Sequence, residues 1–196
     1  GEFVIGKGGQ EATTIGKHNG SILRVSADGQ TATLLGHGFR QPNLSVNPRT
    51  GLVVASDQQG QYIPSTPLHI VKDDQFYGFL SDKLPKEKYP APIADPLTWI
   101  PHAVNASALS QVWLFDAKMG PLNDEMVQIC FNKPDLLRVL WNHRGSRPQA
   151  SVVSVASDFA TPPLNGSVNP ADGQLYIAGF QIAGWGNTLK TLTGIE

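Results

Sequence analysis

GHGFRQPNLSVNPRTGLVVASDQQGQYIPSTPLHIVKDDQFYGF, residues 36–79, is the stretch whose reading decides the fold. It opens on a polar cluster (His37, Arg40, Gln41, Asn43) and breaks at an Asn-Pro turn closed by Gly51. It then runs through the apolar segment Leu52 to Ala55, meets a second polar cluster (Asp57, Gln58, Gln59), and enters another apolar strand. Short strands with polar residues crowded at their ends are what an all-β scaffold produces when it points groups into a shared pocket. The plainer reading makes Asp57-Gln58-Gln59-Gly60 a hydrophilic hairpin and Arg40 a surface charge. Both remain open at this point.

Working outward, the same hairpin returns. Ser45-Val46-Asn47-Pro48-Arg49-Thr50-Gly51-Leu52 is matched by Ser167-Val168-Asn169-Pro170-Ala171-Asp172-Gly173-Gln174, and each copy leads into an apolar strand. In both, Asn-Pro opens a tight turn and Gly takes the positive φ. A hairpin reused at distant points signals a repeat architecture. Around it lie further strand candidates. Glu2–Ile5 comes first, and Gly20–Ser26 and Gln30–Leu35 flank an Asp28-Gly29 turn. Leu97–Pro101, Ser110–Phe115, Met126–Phe131, Leu136–Trp141 and Ala150–Val155 follow. Only Asp135–Trp141 also carries a helical pattern, with an Asp cap and leucines at 136, 137 and 140. Residues 83–95 are proline-rich and charged and read as an extended connector, with Tyr89 exposed on it.

Strands in groups of four predict a sandwich or a propeller, and the repeated hairpin favours the propeller, an all-β fold of about three to four four-stranded blades. The blades fall at 1–36, 37–81, 95–143 and 150–196 in one domain covering residues 1–196. A ring needs at least about four blades to close. The expectation is therefore a partial ring completed by a missing segment or by another chain.

Composition narrows the function classes. The chain has 196 residues, a net charge of −1 and no basic stripe, so nothing points to a nucleic-acid partner. No apolar run approaches the roughly 18 residues a membrane span needs. Gly 20 and Pro 15 fit many short strands joined by turns. The lone cysteine, Cys130, excludes an internal disulfide and a Cys-x-x-Cys-His haem attachment site, and its apolar setting predicts an inert buried thiol. His18, His37, His69, His102 and His143 show no metal-ligand spacing. The Asn-x-Ser/Thr sites at Asn19, Asn43, Asn105 and Asn165 are read first as turn chemistry.

Certain segments carry a resemblance. Gly38-Phe39-Arg40-Gln41-Pro42-Asn43, Ala55-Ser56-Asp57-Gln58-Gln59-Gly60 and Leu68 to Lys72 with Phe76 to Phe79 resemble the six-bladed propellers of the sugar dehydrogenase-like group. So do Trp99 to Ser107 and Val168 to Tyr176. The group includes the soluble quinoprotein glucose and sorbosone dehydrogenases, and the chain looks most like uncharacterised bacterial members often joined to a cytochrome c. The resemblance implies a cofactor site for pyrroloquinoline quinone (PQQ) built by Arg40, Gln41, Asn43, Asp57, Gln58 and Gln59, with the Gly60 carbonyl as a calcium ligand. Ser107, Lys118 and Lys133 fall where the family supplies later contacts. Two departures stand out: Gln41 replaces the family's Asn, and the loop at Asp57 is one residue longer. No catalytic residue is assigned, because the family's histidine base has no counterpart in the matched segments; His37 and His102 are the alternatives.

The functional expectations are two. The first is part of a sugar or alcohol dehydrogenase, quinone-dependent, passing electrons to a cytochrome c and exported to the periplasm. The second is a non-catalytic propeller serving as a scaffold or subunit-interaction module in a larger complex.

Overall fold

Two strands in this chain, Val53–Ser56 and Met126–Cys130, are buried at every position. A strand turns alternate side chains to opposite faces, so such a strand must be covered on both. That requirement sets the architecture. The computed structural model describes residues 1–10, 17–59, 63–80, 93–180 and 193–195. They form β1 (Phe3–Lys7), β2 (Ser21–Val25), β3 (Ala32–His37), β4 (Asn43–Val46), β5 (Val53–Ser56), β6 (Ser65–Ile70), β7 (Gln75–Phe76) and β8 (Thr98–Pro101). These are followed by β9 (Ala108–Trp113), β10 (Met126–Cys130), β11 (Asp135–Asn142), β12 (Gln149–Ser157), β13 (Pro163–Val168), β14 (Leu175–Phe180) and β15 (Thr193–Ile195). A single 3-10 turn at Gly120–Leu122 is the helical element among the described residues.

Four sheets result, with strand orders β1-β2-β3-β7, β4-β5-β6-β8, β9-β10-β11-β12 and β13-β14-β15. The leading strands touch in succession, β1 against β4, β4 against β9, and β9 against β13. Leading strands therefore gather at a common hub while the later strands run outward, which is the arrangement of propeller blades.

Apolar layers fill the wedges between blades. Ile22, Phe39, Val53, Ala55 and Tyr77 pack between the first and second sheets. Val54, Leu68, Met126 and Val139 fill the second wedge, and Val112, Val127, Ile129, Leu136 and Ile177 the third. Val53 and Ala55 thus face one neighbour and Val54 the other. Cys130 packs with Ile100 and Leu137, where burial pushes its thiol well above the usual range and keeps it protonated.

The repeated turn has the same geometry twice. Gly51 and Gly173 both have φ +74°. The amides of Gly51 and Gly173 donate to the carbonyls of Asn47 (2.8 Å) and Asn169 (2.7 Å). Asn47 Oδ1 accepts from the amides of Arg49 (2.9 Å) and Thr50 (3.1 Å), and Asn169 Oδ1 accepts from Ala171 (3.0 Å). Asn47→Ala is expected to cost about 1 kcal/mol, the net worth of these bonds, as measured by urea unfolding. An unchanged midpoint would show that proline and glycine alone set the turn.

Sheet membership differs from the predicted blade limits. β8 does not open the third blade; it closes the second by pairing with β6, Ser65 opposite Pro101 and Leu68 opposite Thr98. β12 does not open the last blade; it runs antiparallel to β11 from Asn142–Gln149 to Asp135–Ser157 and closes the third. The first sheet takes its outer strand from far along the chain, because β7 returns from the second sheet to pair in parallel with β3. Turn spacing locates strands but does not say which of two adjacent sheets a strand joins. Asp135–Asn142 is a strand rather than a helix, with Leu136 and Leu137 both buried across a bulge. Residues 83–92 of the connector, Tyr89 among them, lie outside the described residues.

Candidate functional site

Because the strands alternate direction, the segments before β4, after β5, after β8 and before β9 all emerge at one end of the blades. There the two polar clusters meet. Asp57 is wholly buried, and its carboxylate accepts from three backbone donors. Oδ2 accepts from the Arg40 amide (2.7 Å), and Oδ1 from the amides of Gln41 (2.6 Å) and Gln58 (3.0 Å). One carboxylate therefore fixes the loop that carries Arg40 to the end of β5. The Arg40 carbonyl is held in turn by the Gly9 amide (2.8 Å). The half-buried Arg40 guanidinium has no ion pair or hydrogen bond among the described residues, while Gln41 presents its side chain at the surface.

The amides divide into two uses. Asn43 Nδ2 and Gln58 Nε2 both donate to the Ala108 carbonyl, at 3.1 and 2.9 Å, and so latch the second sheet to the start of β9. Behind them a buried seam continues the latch. Ser56 Oγ donates to the Leu109 carbonyl (2.8 Å), and Gln111 Nε2 donates to Ser56 Oγ (3.0 Å) and Gln128 Oε1 (2.8 Å). Gln59 has the other use. Its Nε2 lies 2.6 Å from His102 Nδ1, and its Oε1 accepts from Thr66 Oγ1 at 3.3 Å. That bond fixes the orientation of a solvent-exposed imidazole ring. Next to it Asn105 is 0% exposed, and neither its Nδ2 nor its Oδ1 has a partner among the described residues. An unpaired buried amide is costly, and these two atoms are hydrogen-bonding capacity that the described chain does not use.

The predicted residues therefore come together at one end of the second and third blades, with distinct placements. Asp57 supports from behind, Asn43 and Gln58 latch the blades, Gln59 bridges His102 and Thr66, and Arg40 keeps a half-buried side chain. Gly60 lies outside the described residues. Ser107, at φ +64°, accepts from Asn132 Nδ2 (2.6 Å), and Lys133 donates to the Ala103 carbonyl (2.6 Å), both at this same end. Lys118 does not join them. It lies in the β9–β10 turn at the opposite end, where its amide donates to the Gly173 carbonyl (2.7 Å). His37 lies against Phe76 with ring centroids 5.4 Å apart and the planes tilted by 36°. Thr66 and the Asn105 amide were missed at the sequence level. They stand 39 residues apart and are joined only where the Thr66 hydroxyl reaches the Asn105 carbonyl (3.3 Å).

Among the described residues no three His, Cys, Asp or Glu side chains come together to hold a metal ion. Among the described residues no helix is long and apolar enough to cross a membrane.

The fold is that of the soluble sugar-dehydrogenase propellers. The Thermus thermophilus oxidoreductase (glucose dehydrogenase) superposes with a TM-score of 0.74 at 17% identity, over 99% of this chain and 60% of its own. The soluble aldose sugar dehydrogenase of Escherichia coli, in its apo form, gives 0.67 at 14% identity over 100% of this chain and 61% of its own. The PQQ-bound aldose sugar dehydrogenase of Streptomyces coelicolor gives 0.65 at 14% identity over 100% of this chain and 58% of its own. The chain thus spans about 60% of the length of these structures. No protein-family model matches the chain, and no curated protein matches it by sequence.

Proposed function

We propose that this chain is part of a sugar- or alcohol-oxidising propeller whose polar cluster at the ends of β5, β8 and β9 binds a quinone cofactor of the PQQ type. The observation that carries the reading is the Arg40 guanidinium, half-buried and without a counter-ion among the described residues, on a loop that Asp57 locks in place. A planar cation with nothing to neutralise it suits a planar, carboxylated ligand. The rest of the donor set agrees: the carboxylate of Asp57 is engaged by the backbone amides of Arg40, Gln41 and Gln58 behind the loop. Calcium, a hard cation, would rest on backbone carbonyl oxygens such as that of Gly60 rather than on a carboxylate set.

When bound, the quinone supplies a two-electron acceptor for a hydride from a CH–OH carbon. The protein's part is to hold and orient it. Arg40 forks onto a carboxylate, Gln59 fixes the imidazole of His102, and Asn43 and Gln58 keep the second and third blades in register beneath the ligand. Electrons then leave to a cytochrome c, and the protein works outside the cytoplasm, in the periplasm of a bacterium. The likeness in fold to PQQ-type sugar dehydrogenases supports this assignment without naming the sugar.

The test is titration with PQQ in the presence of Ca²⁺, followed by quinone absorbance and by reduction of a dye acceptor with an aldose. Binding is expected, and Arg40→Ala is expected to weaken it more than about tenfold, the worth of one charge-assisted pair. Absence of binding, by this chain and by any longer chain containing it, would leave the scaffold reading in its place.

A further inference from the structure

A well-formed cleft in the described structure lies away from the proposed cofactor cluster. A cavity of about 430 Å³ lies between β8 and β12, the outermost strands of the second and third sheets. It also includes the β11–β12 turn, which puts it at the opposite end of the blades from Arg40. Its volume is within the range that accommodates a small ligand, about 300–1,000 Å³.

Its walls are fixed rather than loose. The Ala150 amide donates to the Leu97 carbonyl at 2.9 Å, stitching the two sheets together along the cleft. Arg147, from the turn, forms an ion pair with Asp95. One wall presents Trp99, which is 51% exposed, an unusual placement for the largest apolar side chain. Leu140 is exposed beside it, and Asn142 and Gln149, directly opposite each other in the β11–β12 ladder, supply neutral amides.

The chemistry of this lining selects a ligand class. Arg147 and Asp95 neutralise each other, so the cleft offers no surplus cation for a phosphate or carboxylate. A single carboxylate does not make a metal site. What remains is an indole face flanked by amides and by a paired guanidinium and carboxylate. An aromatic plate takes the apolar face of a pyranose ring, and planar amide, guanidinium and carboxylate groups bond the vicinal hydroxyls at its edge. We infer that this rim cleft is a carbohydrate-binding site, with a neutral sugar unit stacked on Trp99 and its hydroxyls held by Asn142, Gln149, Asp95 and Arg147. The site is separate from the proposed cofactor cluster, and a glycan could be held there whatever the chain's chemistry at the hub.

Affinity electrophoresis through gels containing soluble starch, laminarin or hydroxyethylcellulose tests this, together with tryptophan fluorescence on titration with the corresponding trisaccharides. Retardation in at least one gel is expected, with a matching fluorescence change on adding that trisaccharide. Trp99→Ala should weaken binding about tenfold or more, and Trp99→Phe should restore part of it. Trp113 and Trp141 stack on each other at 6.1 Å within the second wedge, so the responding indole is identified by the loss of signal in Trp99→Ala. Arg40→Ala should bind the glycan as the parent does, which separates this result from that of the cofactor titration. Unretarded migration of the parent protein in all three gels would overturn the inference. So would a Trp99→Ala variant, folded by its melting curve, that binds as tightly as the parent.

Discussion

Asp57→Ala is expected to destabilise the protein by about 4 kcal/mol. The carboxylate is wholly buried and accepts three backbone amides, those of Arg40, Gln41 and Gln58. Truncation leaves these donors without an acceptor, and each buried unsatisfied group costs about 1–3 kcal/mol, partly relieved by water entering the space. Asp57→Asn is expected to lose about 3 kcal/mol, since the amide restores one acceptor but turns its own NH₂ toward a backbone N–H. Urea denaturation followed by circular dichroism gives both values. A loss below about 1 kcal/mol in each variant would show that the loop is held by other means. The same variants should weaken quinone binding even where the fold survives, because the locked segment carries Arg40.

The second large effect is a loss of stability in acid that traces to His69. This side chain is 1% exposed, lies edge-on to Tyr77 at 4.7 Å and to Phe39 at 6.1 Å, and both its ring nitrogens lack partners among the described residues. Burial lowers its pKa from 6.5 to about 3, with no charged neighbour contributing. In the unfolded chain the ring takes up its proton near pH 6.5, whereas in the folded chain it stays neutral until about pH 3. The unfolded state therefore binds more protons throughout that interval. Stability is fully present above pH 6.5 and falls as the pH drops toward 3, by up to about 1.4 kcal/mol per unit. Between about pH 6.5 and pH 5 the loss is about 2 kcal/mol. His69→Phe keeps a ring in the same space, removes two unpaired polar atoms and should flatten this part of the profile while raising stability at neutral pH by about 1 kcal/mol. Paired unfolding curves at neutral and mildly acidic pH check it. Equal acid sensitivity in parent and variant would assign the effect to another group.

The turns and the fully buried strands were legible in the residues because their causes are local. Asn47 to Gly51 and Asn169 to Gly173 carry the chemistry of their turn within five positions, and the run Met126 to Cys130, apolar but for Gln128, announces a strand. Blade membership was not legible. β8 and β12 each adjoin two possible sheets, and only pairing across the wedge decides between them. The polar cluster was visible as two groups of residues, but not the division of labour within it. A carboxylate at position 57 looks like a ligand until the amides it accepts are known, and Asn43 and Gln58 look alike until both are found on the Ala108 carbonyl. Lys118, named by the family resemblance, falls at the other end because the resemblance does not record which end of β9 a turn residue occupies. The unpaired state of His69 and Asn105 has no signal in sequence at all, since it depends on what fails to surround them.

The two-residue strand β7 has a bearing on how this protein is made. The outer edge of the first blade is supplied only after three strands of the second have been completed, and the second acquires its own outer strand only afterwards. A ribosome delivering this chain from its N-terminus cannot release a finished first blade ahead of the second. The pair must close as one cooperative unit, and amides in both should exchange with solvent through a shared opening event, unlike the independent repeats of a simple solenoid.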